Sequence, residues 1–566
     1  MIKKAFIALA VIAVLIGAVV IWFWRSMGFM EAARLVPGDA IALVELPDLP
    51  RTAFRWPQTA IAKVTGEPEV RAFLEKPLGA FFGPAEPKND KGTKSPKKSD
   101  GNSPAEVLLR LKPGHIFASV LSLSSSDSSL LVGFQFWGGK GDCDHAVARI
   151  RKEIERSQKA IEQKTESYHG DEITSTNYGN FTLYTACHGH WGFLANQPDG
   201  IKQALDRAAG RTVGGSLAEN TKYQAATKRL LADPDFLFFS QPERFIDTLL
   251  AVGATTGARV NPEQIEQIRK VQAVGASIKL DGLDLRDSIF ILHDNPPKLG
   301  KLAHAGIQLT DETTAGYVDF LLNFQQLALI GQANGFLNLP SLQSTQLPIL
   351  LPEAFGPECA LVMNWADGQM KPDGFVAAQI RDKAKAEATI QELTSVFPQF
   401  TVTDIEGFKA YNFANLNGVM SSPTFALIDG FLVVGMNPSD VQRAVAAQKA
   451  GKPLIKSPAF AYARSEFQSA NEVFGYLDIR SAFTRFYPLA KQIAVFSAAI
   501  NPGSTSAIDV NKLPSTEAVA RHLNPIVYAQ SRYDDGYLLQ SRGPVSLSQA
   551  GFLGAFSAAP LLKNLR

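Results

Sequence analysis

Gly192-Phe-Leu-Ala-Asn-Gln-Pro-Asp-Gly-Ile-Lys-Gln-Ala-Leu205 and Leu432-Val-Val-Gly-Met-Asn-Pro-Ser-Asp-Val-Gln-Arg-Ala-Val445 say nearly the same thing. Each is an apolar run, a turn ending in proline and an amphipathic stretch. An apolar run bounded by turn residues reads as a strand, and proline at the start of a periodic segment reads as the first residue of a helix. The likeness continues outward. Phe181-Thr-Leu-Tyr184 matches Phe408-Lys-Ala-Tyr411, and Tyr223 to Phe239 matches Phe460 to Tyr476. A helical stretch then starts at Pro242 and at Ile479. Two alternating runs end each copy: Gly275–Leu280 with Asp287–Leu292, and Ile526–Gln530 with Gly536–Gln540. The openings are also alike, Leu35 to Glu45 against Leu309 to Asp319, which places a boundary near Pro296–Ala305.

Within a copy, short period-2 strands alternate with helices. Asp144–Lys164 is predicted as a helix with Val147, Ile150, Ile154 and Ile161 on one stripe, and Ala384–Val396 as its partner. Ile116–Val120 and Val132–Trp137 are predicted to pair across the serine turn Ser124–Ser129. The expected fold is α+β: an N-terminal single transmembrane helix, then two tandem homologous domains of mainly antiparallel sheet covered by helices. The expected divisions are residues 1–34 (anchor and short linker), 35–300 (first repeat), 301–548 (second repeat) and 549–566 (tail). Residues 84–104 hold five lysines and three acids but no large apolar side chain, and read as a solvated loop.

The anchor is expected from Ala5–Trp24, twenty residues without a charge, preceded by Lys3 and Lys4 and closed by Arg25. A helix of that length spans roughly 30 Å, a hydrocarbon core. Trp22 and Trp24 suit the interface, and the two lysines bias the N-terminus to the cytoplasm. The body is then expected outside the cytoplasm, periplasmic or extracellular. Gly551–Leu562 is apolar but short and broken by Pro560, and reads as a docking tail. With 56 Lys and Arg against 54 Asp and Glu, the chain has no basic excess for a nucleic-acid partner.

The residues with the chemistry to hold a metal are Cys143, His145, Cys187, His188 and His190, since thiolate and imidazole suit zinc. Three features weigh against a site. Some forty residues separate the clusters, His188-Gly-His190 falls where a hairpin turn is expected, and the second copy carries Ala414-Asn-Leu-Asn-Gly418 there. Polar turn residues are the simpler reading. A Cys143–Cys187 bridge is conceivable, and three buried thiols are the simpler alternative. No nucleophile elbow, phosphate-cradling loop or zinc-protease helix occurs in the sequence, so no catalytic residue and no cofactor are expected.

Leu35-Val-Pro-Gly-Asp-Ala-Ile-Ala-Leu-Val-Glu-Leu-Pro-Asp48, followed by Pro68-Glu-Val-Arg-Ala-Phe-Leu74, resembles the start of a group of uncharacterised bacterial membrane-anchored envelope proteins. Asn471-Glu-Val-Phe-Gly-Tyr-Leu-Asp478 is similar to a strand-to-helix step recurring in that group. The resemblance implies an anchored, duplicated α+β body with no assigned activity. Three functions follow as expectations. The first is a non-catalytic extracytoplasmic protein that binds or scaffolds an envelope protein or polymer. The second is a carrier of lipid or another apolar ligand. The third is a hydrolase with a site between the copies.

Overall fold

The computed structural model describes residues 31–546, apart from 83–112, 125–127, 247–265, 323–346, 414–421, 501–508 and a few shorter stretches. Twenty strands hydrogen-bond into one large antiparallel sheet, and among the described residues no helix is long and apolar enough to cross a membrane. The single sheet corrects the expectation of two tandem sheet domains; the expected transmembrane helix falls on residues outside those the structure describes. A sheet edge exposes unpaired N–H and C=O groups, and continued pairing satisfies them. The segment 5–24, the loop 84–104 and the tail 549–566 lie outside the described residues.

Two compact units can be traced, each interrupted in sequence. The first comprises Met1–Trp56, Asn89–Lys279 and Ser288–Asp294; the second comprises Pro57–Lys88, Leu280–Asp287 and Asn295–Arg566. The strands of the first are β1 (Ala42–Leu46), β2 (Pro113–Leu123), β3 (Ser128–Phe136), β4 (Glu162–Tyr168) and β5 (Asp171–Asn177). β6 (Thr182–His188), β7 (Trp191–Ala195), β8 (Phe236–Ser240) and β9 (Val271–Asp281) follow, and β10 (Asp284–His293) is shared between the units. The spatial order is β4-β5-β6-β7-β3-β2-β1-β8-β9.

The second unit holds β11 (Thr314–Leu321), β12 (Phe355–Asn364), β13 (Asp373–Ile380), β14 (Phe400–Ile405) and β15 (Phe408–Phe413). It continues with β16 (Thr424–Ile428), β17 (Phe431–Gly435), β18 (Val473–Leu477), β19 (Ile526–Tyr533) and β20 (Gly536–Gly543). Its order, β14-β15-β16-β17-β13-β12-β11-β18-β19-β20, follows the same plan.

The two quoted motifs fall on β7 and β17 and on the helices after them. The helix α1 (Lys140–Glu155) precedes these in the chain; α2 (Pro198–Ala208) and α3 (Pro438–Ala450) each begin on the motif's proline. Proline suits that first position because its missing N–H would be unpaired there anyway. Asn437 and Asp440 form a capping box on α3. Each helix buries the same three positions, Ile201, Ala204 and Leu205 in α2 and Val441, Ala444 and Val445 in α3.

Two local expectations change. The helix expected over 144–164 ends at Glu155, and Glu162–Tyr168 forms β4, paired with β5 in the register Glu162↔Asn177. β4 has an almost wholly exposed polar surface, so ladder hydrogen bonds rather than apolar alternation hold it, and Ile161 is left exposed. The matched pair Phe181–Tyr184 and Phe408–Tyr411 falls on β6 and β15, which are not at corresponding places in the two strand orders.

Where side chains crowd, glycine is required. A Cβ on Gly192 of β7 would enter the ring of Phe134 on β3, its cross-strand partner. At the corresponding place β17 carries Leu432. Gly192→Ala is expected to cost about 2 kcal/mol by overpacking, read as a lower urea midpoint at unchanged slope.

The helix Pro68–Phe82 and the residue before it are tied within the second unit by carboxylates. Glu67 accepts from His522 Nε2 at 2.7 Å and from Arg521, and Glu69 accepts the backbone N–H of Ser515 at 2.6 Å. The hydrogen bond from His522, with Arg521 adding, holds the Glu67 carboxyl below the usual carboxylate range; the Ser515 hydrogen bonds do the same for Glu69. A depressed folded pKa gives stability that is present above the ordinary carboxylate range and lost as pH falls through the folded value. Amide protection factors over residues 67–75 and 512–522, taken relative to the intrinsic exchange rate at each pH, are therefore expected to fall together on acidification.

Candidate functional site

The sequence candidates form a crosslink. Cys143, buried on α1, is joined to Cys187 on β6 by a disulfide, so neither thiolate is available to a metal. The bridge, and not a set of three buried thiols, is what the fold makes. It lies in a small core with Phe134, Phe136, Ala146 and Val147. His188 Nδ1 meets Asp171 at 2.9 Å, the His190 ring lies 6.1 Å from that of Phe136, and His145 is exposed on α1. The expected hairpin turn is present at Gly189, with φ of 55°. Among the described residues no group of His, Cys, Asp and Glu could hold a metal ion. Cys359 is free and buried, and burial, with Glu358 adding, pushes its thiol up to about 12, which makes it a poor nucleophile.

Two carboxylate–imidazole pairs, one buried and one half-buried at its imidazole, had no signal in the sequence reading. Glu45 on β1 meets His115 Nε2 on β2 at 3.1 Å, with both side chains buried. Asp319 on β11 meets His304 Nδ1 and accepts from the Tyr317 hydroxyl at 3.2 Å. β1 and β11 hold the same place in their units, and each imidazole has an aromatic neighbour: Trp191 at 5.6 Å from His115 and Phe474, edge-on, at 5.9 Å from His304. Burial, with the Asp319 carboxylate adding, pushes the Tyr317 phenol upward and keeps it neutral. Neither pair lines the pockets described next, so both read as internal polar ties. The match of Glu45 with Asp319 in the aligned openings is the one sequence sign that could have found them.

One pocket, about 630 Å³, belongs to the first unit, where Asp39, Arg207, Glu219 and Arg244 share its walls. Arg207 is buried, and its Nη1 donates to the carbonyl and side-chain oxygens of Gln203. Burial pulls this guanidinium below its usual range. Two cations and two anions cancel, so the pocket offers no net pull on an ion.

The other is an open groove of about 620 Å³ in the second unit, along the helix α4 (Ile479–Ile500). Asp478 starts α4 by accepting from the backbone N–H of Ser481 at 3.0 Å. Three polar side chains of α4 bond carbonyls of the segment 513–523. Arg480 Nε donates to the Leu523 carbonyl at 3.0 Å, the Tyr487 hydroxyl to Pro514 at 2.9 Å and Lys491 Nζ to Leu513 at 3.0 Å. Several large apolar side chains of α4 are exposed. Phe486, Ile493, Phe496 and Ile500, spaced 7, 3 and 4 apart, are 57, 55, 67 and 69% exposed. No residue of α4 is buried.

Residues 146–314 match the family described as "Protein of unknown function (DUF3352)", and this part of the chain is similar to that family. A comparison with curated proteins yields no match. Among solved structures, the chain matches three described as crystal forms III, IV and I of TP0453, at 8, 7 and 6% identity. The matches cover 48, 46 and 48% of this chain and 82, 79 and 81% of those, with TM-scores of 0.25, 0.24 and 0.21.

The bridge closes a chain separation of 44 residues. A loop of that size lowers unfolded-state entropy by the equivalent of about 4 kcal/mol. Reduction, or the pair Cys143→Ser with Cys187→Ser, is expected to lower unfolding free energy by about 2–4 kcal/mol, read by urea titration with and without reductant.

Proposed function

We propose that this chain is a non-catalytic protein of the cell envelope, anchored through residues 5–24, whose body outside the cytoplasm binds or scaffolds an envelope component. The Cys143–Cys187 disulfide carries this reading. Structural disulfides persist in oxidising compartments and are rare in a reducing cytosol. The charge-free run from Ala5 to Trp24 and the preceding lysines supply the route to such a compartment. The exposed apolar side chains of α4 supply a surface for binding, since exposed apolar patches mark interaction sites. A carrier would need an apolar ligand enclosed, whereas the groove along α4 is open.

Thiol trapping in intact cells tests the placement. Cys143 and Cys187 are expected to react with a maleimide polymer only after reduction, and the protein is expected to stay with membranes through alkaline carbonate washing. Free thiols at both positions in freshly quenched cells, or release by carbonate, would count against it.

A further inference from the structure

We propose that the first unit holds an internal water molecule, bound where β1, β2, β3 and β7 turn Glu45, His115, Gln135 and Trp191 to one face of the sheet. The inference stands apart from the envelope reading above. Register sets the face. Glu45 opposes Phe117, Phe117 opposes Gly133 and Gln135 opposes Trp191. Cross-strand partners share a face, and so do residues two apart on a strand. Glu45, Gln135 and Trp191 therefore stand together. His115 joins them by its bond to Glu45 Oε2 and by its ring, 5.6 Å from that of Trp191. A bulge in β2 adds a residue here. Pro113 opposes Phe136 and Ile116 opposes Phe134, so Gly114 and His115 share Gln135 as their opposite residue. A Cβ on Gly114 would lie 3.6 Å from Gln135 Oε1, so the carboxamide reaches across to the bulge.

Three polar atoms of this group make no hydrogen bond among the described residues: Glu45 Oε1, Gln135 Nε2 and Trp191 Nε1. Their residues are 6, 5 and 3% exposed, so bulk solvent does not serve them. A buried donor or acceptor without a partner bears its full desolvation, and native proteins carry few such groups. Here three fall on neighbouring side chains, and their chemistry selects the ligand. The indole N–H can only donate and repels a cation, while the carboxylate repels an anion. The two donors cannot bond each other. A neutral molecule that both donates and accepts answers all three, and water is the smallest. It accepts from Gln135 and Trp191 and donates to Glu45, matching the about three hydrogen bonds of an ordinary buried water. The second unit repeats half of this. Asp319, at the place of Glu45, gives Oδ2 to His304 and Tyr317, and its Oδ1 is buried with no partner among the described residues. An unanswered carboxylate oxygen on the central strand is thus a feature of the repeat.

The test uses the full chain in detergent micelles, with nitrogen-15 tryptophan at its six positions. The Trp191 indole signal is the one that Trp191→Phe removes. It is expected to show a water cross-peak with the sign of a long-lived bound molecule. Its N–H is also expected to outlast that of the exposed Trp56 in heavy water. Gln135→Met, close to glutamine in shape, is expected to abolish the cross-peak and leave the remaining indole signals in place. A Trp191 indole with no water cross-peak overturns the proposal. An indole that exchanges as fast as that of Trp56 also overturns it, because the site is then open to bulk solvent. A cross-peak that survives Gln135→Met unchanged takes the glutamine out of the site and overturns the shared ligand. The first two outcomes are read on the unsubstituted protein, so they decide the matter even if the variant fails to fold.

Discussion

Each unit is built around a carboxylate that cannot reach bulk water. Glu45 and Asp319 sit on β1 and β11, short strands with a hydrogen-bonded neighbour on both sides. Taking a carboxylate out of water costs several kcal/mol unless a partner compensates it. His115 and His304 are therefore not optional contacts. Each fixes a neighbouring segment against the central strand: His115 sets β2 beside β1, and His304 sets the entry to β11. The strand order on either side then follows from ladder pairing, because every backbone group between the centre and the edge must find a partner.

The helices divide by what their apolar side chains meet. α2 and α3 turn Ile201 and Leu205, and Val441 and Val445, onto the sheet, and the energy of burial holds them there. α4 is held differently. Its arginine, tyrosine and lysine bond a run of carbonyls, while Phe486, Ile493, Phe496 and Ile500 stay exposed. Apolar side chains can thus seat a helix on the core or stay exposed, and the choice lies with the residues opposite. The carbonyls of 513–523 are the deciding partners, and the Pro68–Phe82 segment holds this same stretch through Glu67 and Glu69.

A good part of this was legible. The repeated Pro-led motif located β7, β17 and the starts of α2 and α3, because proline at the first helical position is a local preference that needs no tertiary partner. Ile116–Val120 and Val132–Trp137 announced β2 and β3 by alternation, and they pair as Ile116↔Phe134 and Val120↔Leu130. The start of β4, Glu162–Lys164, falls in the expected helix because its residues carry no period-2 signal, and only β5 makes it a strand. The likeness of Phe181–Tyr184 to Phe408–Tyr411 misled because four residues of aromatic alternation fit any strand of the sheet.

By itself the sequence determined what depends on neighbours along the chain: helix starts, hairpin turns, strand alternation, the charge-free run 5–24 and the absence of known catalytic motifs. The tertiary structure decided what depends on distant partners. It brought Cys143 to Cys187, so that a candidate metal set became a crosslink. It paired Glu45 with His115 across 70 residues and Glu67 with His522 across 455. It also left Phe486, Ile493, Phe496 and Ile500 of α4 exposed, which no periodicity could reveal, since only packing decides which side chains of a helix are covered.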